Sequence, residues 1–146
     1  MNRNLKLTVS ENIDAPAAVV WNALTDSETI SKFMWGTHAK SDWKVGSPLT
    51  FEGVWEGKAY HEKGTILEIQ KDKLMKYSYL TAGIEDVPEN YSIITYQLSS
   101  DNGTTKMTVT QEGATDEKSL EHSKQGWTSI LGNLKNVVEK KIPAHK

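Results

Sequence analysis

The sequence predicts an α+β fold: an antiparallel sheet, two short helices after its first strand, and one long C-terminal helix lying on the sheet. Three observations carry this prediction. Within Thr115 to Lys141, the residues Leu120, Trp127, Ile130, Leu131, Leu134, Val137 and Val138 fall at the i, i+3, i+4, i+7 spacing of one helical face. Most of the preceding chain alternates apolar and polar residues with a period of two, as strands do. Turn signals separate those runs at hairpin spacing, the strongest being Asp101-Asn102-Gly103, because Asn-Gly readily takes the positive φ angles of tight turns. A helix of about 26 residues spans roughly 39 Å, and its apolar stripe needs a sheet to cover it. Glu121, Lys124, Gln125, Asn133, Lys135, Asn136 and Lys140 occupy the other face.

The elements follow in order. Leu5, Leu7 and Val9 alternate with Lys6, Thr8 and Ser10, giving a first strand that runs to about Ile13. Asp14-Ala15-Pro16 opens a helix, since proline is tolerated in a first turn whose N–H groups lack intrahelical partners. Val19, Val20, Ala23 and Leu24 form its apolar side, with Trp21 flanking. Thr25-Asp26-Ser27-Glu28 fits the S/T-x-x-E capping box and predicts a second short helix carrying Ile30, Phe33 and Met34, stopped at Gly36. Strands are expected from about residue 39. Trp43 and Val45 share one phase, and Gly46-Ser47-Pro48 makes a turn. Leu49, Phe51, Gly53 and Trp55 alternate with Thr50, Glu52, Val54 and Glu56, and Glu56-Gly57-Lys58 closes a hairpin. The next strand, Ala59 to Gln70, contains Gly64, read as the mark of a bulge. Lys71-Asp72-Lys73 is a second turn. Met75, Tyr77 and Tyr79 alternate after it, Thr81 to Asn90 reads as a loop, and Ile94, Tyr96 and Leu98, then Met107 and Val109, complete the strands.

Bulk properties exclude several functions. The chain has 146 residues, which favours one domain spanning 1–146. With 17 basic and 19 acidic residues the net charge is −2, and no basic stripe is present, so nucleic acid is not an expected partner. No apolar run reaches the roughly 18 residues of a membrane span. Met1-Asn2-Arg3-Asn4-Leu5-Lys6 lacks the apolar region of a signal peptide, and the absence of cysteine excludes disulfides and thiolate chemistry. A cytoplasmic location is the expectation.

Ordered motifs add a family resemblance. These are Ile13-Asp14-Ala15-Pro16-Ala17-Ala18-Val19-Val20-Trp21, Leu24-Thr25-Asp26, Asp42-Trp43-Lys44-Val45-Gly46, Gly64-Thr65-Ile66-Leu67-Glu68-Ile69, and Gly126-Trp127 followed by Leu131 and Leu134. In this order the chain resembles the START/Bet v 1-like superfamily, and within it the single-domain activator-of-Hsp90-ATPase homologue group. The resemblance implies a helix-grip fold, in which a curved antiparallel sheet grips the long helix and leaves space for a ligand. Ser47 stands where the family pattern has a second glycine, and Asp72-Lys73-Leu74 replaces the usual residues before the fifth strand. The Asn- and Trp-rich motif of the extra N-terminal domain of eukaryotic Hsp90 activators is not found here. The family name therefore supports a co-chaperone role less well than it supports the fold.

Candidate chemistry centres on the aromatic residues. Five Trp and five Tyr occur. Trp43, Phe51, Trp55, Tyr79, Tyr96 and, on the long helix, Trp127 share inward-looking phases. With Trp35 at the mouth, Leu131 beside Trp127 and His61 as a polar anchor, they form the expected lining of a pocket for an apolar or aromatic small molecule. The competing reading is a filled aromatic core. His61 and Glu62 are adjacent on one strand, so one of them must face inward. Such a group can act as acid or base, but a polar anchor is the plainer reading. Glu52 and Glu56 are expected on the solvent face. His38, His61, His122 and His145 are far apart in sequence, so no metal or other cofactor is expected. The acidic loop Gly83-Ile84-Glu85-Asp86-Val87-Pro88-Glu89 is the candidate surface for a protein partner. Three functions follow: small-molecule binding without evident catalysis, a protein-interaction or Hsp90 co-chaperone-like role, and a cavity enzyme of cyclase or hydrolase type.

Overall fold

The computed structural model describes residues 5–34, 36–55, 57–80, 85–114 and 117–140. β1 (Leu5–Ile13) leads into α1 (Ala17–Leu24) and α2 (Ser27–Phe33). Six strands follow: β2 (His38–Ser41), β3 (Pro48–Trp55), β4 (Lys58–Gln70), β5 (Leu74–Tyr79), β6 (Ser92–Asp101) and β7 (Thr104–Ala114). The helix α3 (Glu117–Lys140) closes the chain. The strands form one curved antiparallel sheet in the order β1-β7-β6-β5-β4-β3-β2. Strands β2 to β7 are a simple meander, and β1 returns to pair with β7. The α+β helix-grip architecture is therefore the one the sequence predicts.

Local chemistry explains most boundaries. Asn102 and Gly103 sit at φ 55° and 84°, as the tight Asn-Gly turn requires. The capping of α2 differs from the expected box by one residue. Asp26 is the N-cap and accepts from the Thr29 amide at 3.0 Å. Thr25 is instead the C-cap of α1, and its hydroxyl donates to the Trp21 carbonyl at 3.0 Å. Because α1 still uses Thr25 to finish its last turn, Asp26 is the first residue able to start α2. At the other end of α2, the Gly36 amide donates to the Ser31 carbonyl at 2.7 Å.

Two strand expectations are corrected. Trp43 and Val45 do not share a strand phase. β2 ends at Ser41, and Trp43 turns the chain at φ 58° with its amide held by Ser41 Oγ at 3.0 Å. Val45 is then exposed in the following turn. There Ser47, the departure from the family pattern, accepts from the Lys44 amide at 3.0 Å and donates back to the Lys44 carbonyl. Gly64 is not itself the bulge, which lies between Ile66 and Glu68. A Cβ at Gly64 would meet Ser78 O at 1.6 Å, so glycine is required there by the close approach of a neighbouring strand.

α3 lies chiefly along β1 and also touches α2. Trp127, Leu131, Leu134 and Val138 are buried from it, the face the periodicity predicts. At its C-terminal end, Lys135 Nζ bridges Glu139 at 2.7 Å and the Asn12 carbonyl at 2.9 Å, while Glu139 accepts from the Asp14 amide at 2.9 Å. These contacts pin α3 to the β1–α1 junction. No helix among the described residues is long and apolar enough to cross a membrane.

Candidate functional site

The inward phases of β3, β5 and β6 bring one row of aromatic rings towards Trp127 of α3. Phe51 meets Tyr77 and Tyr79 at centroid distances of 6.1 and 6.0 Å, Tyr77 meets Tyr96 at 5.5 Å, and Tyr96 meets Trp127 at 5.9 Å. Most of these contacts are edge-to-face, the arrangement aromatic quadrupoles favour. The Trp127 indole N–H donates to Gln111 Oε1 at 2.7 Å, which fixes the ring across the sheet. Gln111 continues the inward row of Met107 and Val109 as its polar end.

This row separates a filled space from an open one. Towards α1 and α2, Leu24, Ile30, Phe33, Met34, Trp43, Leu49 and Met75 close around about 10 Å³, room for no more than about one water. Towards the N-terminal half of α3, a cleft of about 510 Å³ opens, within the range of small-molecule sites. Its sheet wall is Phe51, Tyr60, Glu62, Tyr77 and Tyr79, with Met34 and Thr37 at the floor. Its helix wall is His122, Ser123, Gly126, Trp127 and Ile130, and Gln111 joins the two walls. A helical Gly126 is about 1 kcal/mol less favourable than alanine. No neighbour lies within 4 Å of where its Cβ would be, so close packing does not require the glycine. What the missing side chain leaves is room in the cleft.

Polar groups are concentrated on the sheet wall. The Tyr79 hydroxyl donates to Glu62 Oε1. Thr37 donates its only hydroxyl proton to the Met34 carbonyl at 2.6 Å, so in the Thr37–Tyr60 contact Tyr60 is the donor. Tyr77 and Tyr96 share a hydrogen bond of 2.8 Å beneath the wall. Burial, reinforced for Tyr79 by the Glu62 carboxylate, pushes the Tyr77 and Tyr79 hydroxyls well above their ordinary range, and Tyr96 is pushed up by burial to about 12. All three stay neutral at physiological pH and act as hydrogen-bonding groups rather than bases.

The residues singled out in the sequence divide between the two spaces. Phe51, Tyr79 and Trp127 line the cleft. Trp43 lines the filled space, and Tyr96 lies behind the cleft wall, where only the filled space reaches it. Leu131 is fully buried under α3 rather than in the cleft lining. His61 faces the opposite side of the sheet, exposed, with Nε2 3.4 Å from Glu52. The inward member of its pair is Glu62, so His61 does not line the cleft. Trp35 lies outside the described residues, as does the side chain of Trp55. Glu52 is exposed as expected, and Glu56 lies outside the described set. His38 and His61 each sit opposite Glu52 on adjacent strands despite their distance in sequence. Among the described residues no three His, Cys, Asp or Glu converge as a metal site. Of the acidic loop, Asp86 is engaged by Lys63 and by the Tyr91 hydroxyl, while residues 83 and 84 lie outside the described set.

Sequence reasoning missed Thr37, Tyr60, Gln111, His122, Ser123, Gly126 and Ile130 as cleft residues, and left Glu62 as one of two alternatives with His61. For Glu62 the signal was present. A two-residue turn pairs Trp55 with Lys58, and stepping back along both strands pairs Phe51 with Glu62. If Phe51 faces in, so does Glu62.

A sheet that grips one long helix and keeps a ligand-sized cleft beside it defines a helix-grip protein with an accessible interior. The chain belongs to the Activator of Hsp90 ATPase homolog 1-like protein family, whose model matches residues 14–139. Among solved structures, a protein from Cytophaga hutchinsonii is 37% identical, with 98% of this chain and 99% of that chain covered and a TM-score of 0.82. An Hsp90 activator from Plasmodium falciparum is 26% identical over 92% of this chain and 96% of its own, with a TM-score of 0.73. The Aha1 dimer from Colwellia psychrerythraea shares the fold at 19% identity, 92% and 96% coverage and a TM-score of 0.74. No curated protein matches the chain.

Proposed function

We propose that this protein binds an apolar or aromatic small molecule in the cleft between the sheet and the N-terminal half of α3, within the cytoplasm. One observation carries the reading: the open space of about 510 Å³ lies directly beside an interior closed to about 10 Å³. A chain able to fill one half of its grip leaves the other half open, with an aromatic wall and a helical glycine facing the space. Isothermal titration with a neutral naphthalene alcohol tests it. Wild type should bind. Gly126→Leu, which places a side chain in the cleft, should lose at least about tenfold in affinity, the scale of one displaced apolar contact. Equal binding by both proteins would sink the reading.

A second reading is favoured by the family and by the similarity to the Plasmodium falciparum Hsp90 activator. In it, the domain docks a protein partner and modulates an Hsp90-type ATPase. An ATPase assay with purified Hsp90 separates the two, because the cleft reading predicts no change in rate on adding this protein.

A further inference from the structure

We infer that the occupant of the cleft presents hydrogen-bond donors, preferably an ammonium or amine, to the β3–β5 wall: it is an aromatic amine-bearing molecule rather than an aromatic or fatty acid. This names the ligand class of the site proposed above and rests on that proposal.

The inference comes from following the wall's protons. Tyr79 donates to Glu62, and Tyr60 donates to Thr37, whose own proton goes to the Met34 carbonyl. Each of these two tyrosines has a single hydroxyl proton, and each is already committed to a protein acceptor. What their oxygens can still offer the cleft is lone pairs. Glu62 is also an acceptor, a carboxylate set in the same wall. No lysine or arginine occurs among the described lining residues. The remaining donors are His122 and Ser123 on the helix wall and the Gln111 amide where the two walls join.

A ligand carboxylate laid against the sheet wall would meet like charge and lone pairs, and no lysine or arginine among the described lining residues offsets them. An ammonium there would meet a carboxylate and the faces of aromatic rings, both of which favour it. The orientation follows as well. The amine end points to β3–β5, and the apolar body lies along Trp127 and the open position at Gly126.

Three probes on one skeleton test this: 1-naphthylmethylamine, 1-naphthylmethanol and 1-naphthoate. They are titrated calorimetrically at about pH 8. Wild type should bind the amine about tenfold more tightly than the alcohol, the scale of one charge-assisted hydrogen bond, and the carboxylate most weakly. In Glu62→Gln the preference for the amine should fall to within about twofold while alcohol binding persists. Glu52→Gln, which removes a carboxylate on the exposed outer face of the same sheet, should keep the preference, and the persistence of alcohol binding in Glu62→Gln guards against a folding defect there. Carboxylate binding equal to that of the amine would overturn the inference and leave the cleft reading standing. Survival of the full preference in Glu62→Gln, or its loss in Glu52→Gln, would also overturn it. Failure of all three probes to bind would remove the parent reading and the inference together.

Discussion

The two halves of the grip are built from the same sheet and the same helix, yet one is solid and the other is open. Phe33, Ile30 and Met34 from α2 and Leu24 from α1 fill the first half, and Trp43 turns into it at positive φ. The second half has no such insert. There α3 faces the sheet through Gly126, Ser123 and His122 beside Trp127 and Ile130, and the sheet answers with Glu62 and Tyr60. The short helices after β1 thus stabilise the fold by filling half of its interior, and the composition of the first turns of α3 leaves the other half available for binding.

The largest effect should come from the solid half. Phe33 is 1% exposed, and Phe33→Ala should cost about 3–5 kcal/mol in a urea titration, because the surrounding side chains already pack closely. Trp127→Ala removes a larger side chain that is 9% exposed and borders the cleft. Part of its volume adjoins open space, so the loss should be smaller, about 2–3 kcal/mol, accompanied by loss of naphthalene binding. A cost for Trp127→Ala above that of Phe33→Ala would mean that the open half is packed like the solid one.

Two glycines sharpen the contrast. Gly126→Ala and Gly132→Ala should each stabilise α3 by about 0.5–1 kcal/mol, read as a rise in melting temperature, since neither Cβ meets a neighbour. Only Gly126 lines the cleft, so only its substitution should alter binding. The smallest effect concerns the clasp at the far end of α3. Lys135, and secondarily the Asp14 amide, hold the Glu139 carboxyl below its ordinary value of 4.5. A depressed carboxyl contributes stability above that value and loses it as pH falls through the lower folded value. Lys135 is raised above 10.5 by the same partner, so its contribution is present below that value and lost on raising the pH past the folded one. Glu139→Gln should therefore cost a few tenths of a kcal/mol at neutral pH, given the partial exposure of the pair, and nothing near pH 3. Urea midpoints at both pH values check it.

The fold was largely legible because its signals are local. Alternation in Leu49 and Phe51, Met75 and Tyr77, Ile94 and Tyr96, and Met107 and Val109 places these residues in the core, where they are found. The helical stripe through Trp127, Leu131, Leu134 and Val138 was equally clear. The site was less legible because it depends on which phases meet across the sheet. His61 and Glu62 could not be told apart by type, only by the hairpin register that places Glu62 opposite Phe51. Whether Trp43 lined a cavity or a core turned on α2 folding over it, a contact between segments with no shared period. His122 and Ser123 lie about one turn before Trp127 on α3, and Gly126 directly precedes it. As polar or small residues they read as an exposed turn until the sheet opposite is seen to hold a cleft.

The most direct test of the account is an NMR titration of the protein with 1-naphthylmethanol, following the Trp127 indole N–H, which is bonded to Gln111. The account predicts saturable shifts at that indole and at the amides of Gly126, Ser123 and Glu62, with Phe33 and Leu49 unmoved. Shifts centred on the solid half or the outer face around His61, or none at all, would contradict it.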